Sequence, residues 1–116
     1  MSMIMNMTVS ILGTEYKILY KLPKEDKILE EYDGYCDFFS KEIVVSNEEY
    51  NFHDNERHKR KVLRHEIVHA FMYESGLDCN ANVPERSLAT NEEMIDWIAI
   101  QGEKIHKAWA EVGCLD

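Results

Sequence analysis

The sequence lacks any apolar run approaching the roughly 20 residues of a membrane-spanning helix, which argues against a helical membrane protein. It also lacks a basic segment leading into an apolar one near its start. Met1 to Leu12 is interrupted by Asn6, Thr8 and Ser10 and does not read as a signal peptide. Cysteine is scarce: Cys36, Cys79 and Cys114 are odd in number, widely spaced and form no C-x-x-C pair. Reduced thiols in a cytoplasmic protein are the expectation, and a cysteine is a weaker candidate for a metal ligand than the acids considered below. Positive charge is short as well. Thirteen Lys and Arg face 22 Asp and Glu, and the net charge of −9 opposes general attraction to nucleic acid or to an anionic membrane surface. Repeats, low-complexity tracts and linker-like stretches are missing, so the 116 residues read as one domain with room for one core.

What is present is concentrated in Val62 to Tyr73, which holds His65-Glu66-Ile67-Val68-His69, an H-E-x-x-H pattern. Leu63, Ile67, Ala70 and Phe71 recur at three- and four-residue steps with no Gly or Pro among them, which predicts a helix. Residues four apart share a helix face, so His65 and His69 can aim two imidazole nitrogens at one point. Glu66 is rotated by about 100° from His65 and lies beside that point, where it can reach a water on a metal without ligating the metal itself. Two His ligands with a Glu base is the chemistry of a zinc hydrolase. The competing reading is an exposed helix face with a solvated Glu, which leaves the agreement of motif, helix and apolar flanks unexplained.

Along the chain, Thr8 to Leu12 and Tyr16 to Leu22 read as two strands joined at Gly13-Thr14. Lys24 to Tyr32 is charged and reads as a short helix or exposed loop. Asp33-Gly34 marks a turn, and Tyr35 to Phe39 and Ile43 to Ser46 form a second hairpin around Ser40-Lys41-Glu42. Ser46-Asn47-Glu48-Glu49 has the capping-box form and suggests one helical turn. Asn51 or Asp54 caps the motif helix, which runs to about Glu74 with Gly76 just past its end. Leu77 to Ser87 carries the least structural signal. Thr90-Asn91-Glu92-Glu93 caps a last helix whose apolar face is Met94, Ile95, Trp97, Ile98, Ile105, Trp109 and Val112, with Gly113 ending it. Strands first and helices after give an α+β class.

A catalytic zinc normally takes three protein ligands. If Thr90 is the N-cap, Glu93 folds back onto the Thr90 backbone N–H, which leaves Glu92 uncommitted. Asp96 lies one turn on from Glu92, placed to orient a ligating His by a hydrogen bond. Glu92 is therefore the expected third ligand, with Glu93 as the alternative. An acidic first turn that favours the helix dipole is the reading that needs no metal.

His65-Glu66-x-x-His69 followed by Glu92-x-x-x-Asp96 resembles the gluzincin branch of zinc metallopeptidases, and Asn91 to Asp96 is similar to the Asn-Glu-x-x-x-Asp ligand helix of thermolysin-like enzymes. The layout of residues 30 to 105 looks more like that of the small ImmA/IrrE-type peptidases of bacteria, phages and mobile elements. The resemblance implies a zincin-like fold, with a small antiparallel or mixed sheet ahead of the two ligand helices. It further implies Zn²⁺ on His65, His69 and Glu92, Glu66 as base, Asp96 in support, and a protein or peptide substrate. The strand at Ile43 to Ser46 would then be the sheet edge that holds an extended peptide.

Other features weigh less. Tyr35, Tyr50, His53, Tyr73 and His106 are all conceivable donors to a developing oxyanion, and none is singled out. The basic run Arg57-His58-Lys59-Arg60-Lys61, with Arg64, reads either as a docking patch for an acidic partner or nucleic acid, or as a solvated helix flank. The leading expectation is a zinc metallopeptidase cutting one or a few protein targets. Its rival is a zinc-binding regulatory or interaction module of a phage or mobile element without turnover.

Overall fold

The computed structural model describes residues 7–50, 54–76 and 92–116, and shows an α+β arrangement of a four-stranded mixed sheet followed by two helices. Strands β1 (Met7–Ile11) and β2 (Thr14–Lys21) pair antiparallel up to Ile11 opposite Thr14. The two residues between them, Leu12 and Gly13, both have positive φ, at 51° and 88°. That geometry matches the twist of a tight hairpin and explains the glycine. A 3-10 turn, Lys27–Glu30, follows, capped by Asp26 and burying Leu29. Strands β3 (Gly34–Asp37) and β4 (Glu42–Ser46) form the second hairpin, where the Asp37 carboxylate accepts from the N–H groups of Phe39 and Ser40.

The sheet order is β1-β2-β4-β3, with β4 parallel to β2. This corrects one expectation. β4 lies inside the sheet, with Ile43, Val44 and Val45 fully buried, and β3 is the edge. A run of three β-branched residues suits a strand covered on both faces. The Ser46 N–H donates to the Asp33 carbonyl at 2.8 Å, so Asp33, Tyr35 and Asp37 turn their backbone groups toward β4. By the alternation of an antiparallel pair, Gly34 and Cys36 turn theirs outward.

One face of the sheet is covered by α1 (Asn55–Glu74) and α2 (Glu92–Glu111). Inward residues of alternate strand positions, Val9, Ile11, Tyr16, Ile18, Ile43 and Val45, meet Leu63, Ile67, Ala70 and Phe71 of α1. Ile105, Ala108 and Val112 close the core from the α2 side, with Trp97 and Trp109 packed against it. Each fully buried aliphatic side chain contributes about 1.5–3 kcal/mol, and this layer holds α1 on the sheet. Asp54 caps α1 by accepting from the Arg57 N–H, while Gly76 (φ 81°) and Gly113 (φ 68°) lie just past the ends of α1 and α2.

Three details depart from expectation. Gly34 belongs to β3 rather than to a turn, because α1 packs directly over it. Ser46 to Glu49 forms no helix, since the buried Ser46 hydroxyl accepts from the Glu48 N–H in a short local turn. Ile98 is 55% exposed rather than on the buried face of α2. The basic run is mostly absorbed by the fold. Arg57 forks onto Asp116, Arg64 donates to the Cys114 carbonyl, and buried Lys59 donates to Asn47 with Glu49 and Glu56 nearby. Asn51 and His53, the Leu77 to Ser87 stretch and the Thr90 cap lie outside the described residues. No described helix is long and apolar enough to cross a membrane.

Candidate metal centre

α1 presents its motif on two faces. His65 and His69 stand on the exposed side, one turn apart, with their Nε2 atoms 3.1 Å from each other. Two imidazoles bound tetrahedrally at about 2.0–2.1 Å must hold their nitrogens about 3.3 Å apart, so the pair fits the bite of one zinc ion. The rings meet edge-on, with centroids 4.8 Å apart. A shared proton between the two rings is the alternative use of that contact.

Glu66 is turned about 100° around the helix from His65, toward the seam between α1 and β3, and is only 7% exposed. A Cβ built on Gly34 would come within 3.5 Å of its Cγ, so a bulkier residue at Gly34 would crowd it. Burial pushes the Glu66 carboxyl up to about 7, and no described residue donates to it or pairs with it. A carboxyl held near neutrality, beside the His pair and at the mouth of a cleft, is suited to accept and return a proton. Burial, with Glu66 close by, also pushes the Cys36 thiol up to about 12, which keeps it protonated and a poor ligand.

A cleft of about 260 Å³ opens in front of this group. Gly34, Val62, His65 and Glu66 form one end, and Tyr32, Asp33, His58 and Lys61 the other. Asp33 accepts from the Tyr50 hydroxyl at 2.9 Å and lies 3.1 Å from His58 Nε2. This trio was not foreseen, although His58, Lys61 and His65 recur at three- and four-residue steps and so share a helix face.

Glu92, Glu93 and Asp96 lie on the first turns of α2, but their side chains fall outside the described residues. Among the described residues no third His, Cys, Asp or Glu joins the His pair. The N-terminal part of α2 is tied to the end of α1 by Trp97 Nε1, which donates to Ser75 Oγ at 3.0 Å. Of the conceivable oxyanion donors, Tyr35 points to the far face and is engaged with Asp26, and Tyr73 is stacked on Phe38 with centroids 4.4 Å apart. His106 is exposed on α2, and Tyr50 is bound to Asp33.

A second cluster lies at the far end of α1. The Glu74 carboxylate accepts from Thr14 (3.0 Å), Tyr16 (2.7 Å) and Lys41 (2.7 Å), and Lys41 also lies over the Tyr73 ring. These contacts join β2, the β3–β4 turn and α1, and set how the helix sits on the sheet.

Comparison with protein-family models, curated proteins and solved structures yields no match. What the site can do follows from its own residues.

Proposed function

We propose that the chain is a zinc-dependent metallopeptidase of small gluzincin type, ImmA/IrrE-like, with a zincin-like fold. The observation that carries this reading is the His65–His69 pair, spaced for one metal ion, with the buried Glu66 beside it at an edge strand. His65, His69 and Glu92 would hold the zinc, and Asp96 would orient a ligand. Bound there, zinc supplies a Lewis acid that polarises a carbonyl oxygen and acidifies water. Glu66, near neutrality in its seam, takes a proton from the attacking water and returns it to the leaving amine. The outward backbone groups of Gly34 and Cys36 offer hydrogen bonds to an extended peptide laid along β3. The order of sheet, motif helix and acidic helix supports the zincin-like assignment.

The buried carboxylate also favours hydrolysis over a regulatory zinc module, because a purely structural site has no use for a base that costs stability. The test is hydrolysis of a quenched-fluorescence peptide library by zinc-loaded protein and by Glu66→Gln. The variant should keep its zinc and lose turnover. Full activity in the variant would remove Glu66 from the role, and inactivity of the zinc-loaded parent across the library would favour the module.

A further inference from the structure

We propose that the cleft beside the His pair selects an extended peptide carrying an acidic side chain about two to three residues from the bond that is cut, and that Lys61 reads it. The inference rests on the peptidase reading and adds its substrate class. Its first support is continuity. The cleft at Glu66 and His65 ends at His58 and Lys61, and a second cleft of about 420 Å³ begins at those same residues and continues to Arg57, Arg64 and Asp116. One groove thus runs along α1 from the candidate centre into a region where Arg57, Lys61 and Arg64 stand with Asp54 and Asp116, a small excess of positive charge in an acidic protein.

The second support is which charges are spent. Arg57, Lys59 and Arg64 are engaged within the fold. Lys61 is exposed, shares the His65 face one turn away, and makes no hydrogen bond or ion pair with a described residue. The groove already holds one carboxylate, since the Asp116 side chain sits on the Arg57 guanidinium at 2.9–3.1 Å. Carboxylate recognition is therefore a chemistry this groove performs on its own chain.

The third support is alignment. Gly34 packs at Val62 and Phe38 stacks on Tyr73, so β3 and α1 run side by side in the same direction. A peptide paired to the outer edge of β3, which pairs with no further strand among the described residues, follows the helix axis. Lys61 lies about 6 Å and His58 about 10 Å along that axis from His65. An extended chain advances about 3.3 Å per residue, which places the acidic position about two to three residues from the centre. A neutral side chain there leaves Lys61 in water at no cost, so the effect is a preference rather than an absolute requirement.

The experiment uses the Glu66→Gln protein, which leaves a bound peptide intact, with and without added zinc. Two fluorescein-labelled dodecapeptides, one alternating Thr with Glu and one alternating Thr with Gln, are titrated by anisotropy at about 50 mM and about 300 mM salt. The Glu peptide should bind about fivefold tighter at low salt, a preference that shrinks at high salt. Adding Lys61→Glu should abolish the preference and favour a Thr–Lys peptide instead. Equal binding of the Glu and Gln peptides, or a preference untouched by Lys61→Glu, would overturn the inference. An oligothymidylate of the same length that displaces the Glu peptide at equal concentration would overturn it in favour of nucleic acid. Zinc uptake and library hydrolysis, measured on the parent protein, separate the two readings. Hydrolysis without acidic preference sinks this inference alone, and acidic preference without zinc uptake sinks the peptidase while the acid-binding groove stands.

Discussion

Gly34 of the edge strand approaches α1 so closely that a Cβ there would stand 2.7 Å from Val62 Cγ1. The same Cβ would lie 2.8 Å from the Val44 carbonyl oxygen, which is backbone and cannot swing away. Gly34→Ala should therefore destabilise the protein by about 1–3 kcal/mol through overpacking. Val62→Ala in the same background should restore only part of the loss, because the Val44 contact remains. Urea unfolding of the two variants checks this, and an unchanged midpoint in Gly34→Ala would mean that helix and strand can separate freely.

Glu66 links the proposed function to stability. Its folded pKa of about 7 exceeds the ordinary 4.5, so between those values the unfolded chain gives up its proton first. In metal-free protein, stability should fall as pH rises from 4.5 to 7 and level off above. Glu66→Gln removes this dependence. It should stabilise the metal-free protein at pH 8 by on the order of 2–3 kcal/mol and change little at pH 4, as read by thermal melts in chelator. A variant less stable than the parent at pH 8 would show that the carboxylate has a partner on folding.

Glu74 behaves in the opposite sense. Burial alone would raise its pKa, but hydrogen bonds from Lys41, Tyr16 and Thr14 outweigh burial and hold it below the ordinary value. The stability it supplies is present above pH 4.5 and is lost as pH falls through the lower folded value. Glu74→Ala strands the buried Tyr16 hydroxyl and should cost about 2–3 kcal/mol at pH 7, with a smaller cost in strong acid. Melting curves of parent and variant at pH 7 and pH 3 read the difference.

The Glu74 cluster also marks the limit of what could be read from the chain. Its three donors lie 33 to 60 residues from Glu74 and carry no common motif, so only the folded sheet brings them together. Features set by their neighbours were legible: the Gly13 turn, the Asp54 cap, Gly76 and Gly113 past the helix ends, and the His65–His69 spacing. Sheet order was not, since Ile43 to Val45 looks equally strand-like at an edge or in the middle. Only pairing of β4 with the distant β2 makes β3 the edge. Ser46 to Glu49 had the letters of a capping box, but the hydroxyl found a nearer N–H. Lys61 could have been singled out by its phase with His65, yet its lack of a partner among the described residues emerges only once Arg57, Lys59 and Arg64 are seen to be engaged.

The third ligand gives the most decisive prediction. His65 and His69 converge with their nitrogens 3.1 Å apart, and a catalytic zinc needs one more protein donor. Glu92, Glu93 and Asp96 all belong to the opening turns of α2, but each calls for a different outcome. Glu92→Ala and His69→Ala should each lower zinc content from about one per chain to near zero after dialysis. Glu93→Ala should keep its zinc and lose only stability, the outcome expected if its carboxylate serves a Thr90 capping box. Asp96→Asn should weaken zinc affinity about 10–100-fold without abolishing binding, the outcome expected of a residue that orients a ligand rather than binding the metal. Elemental analysis with a competing chelator reads all four. Zinc retained in Glu92→Ala but lost in Glu93→Ala would exchange the two acids, and a parent that takes up no zinc would end the hydrolase reading, leaving the His pair as a hydrogen-bonded surface feature of α1.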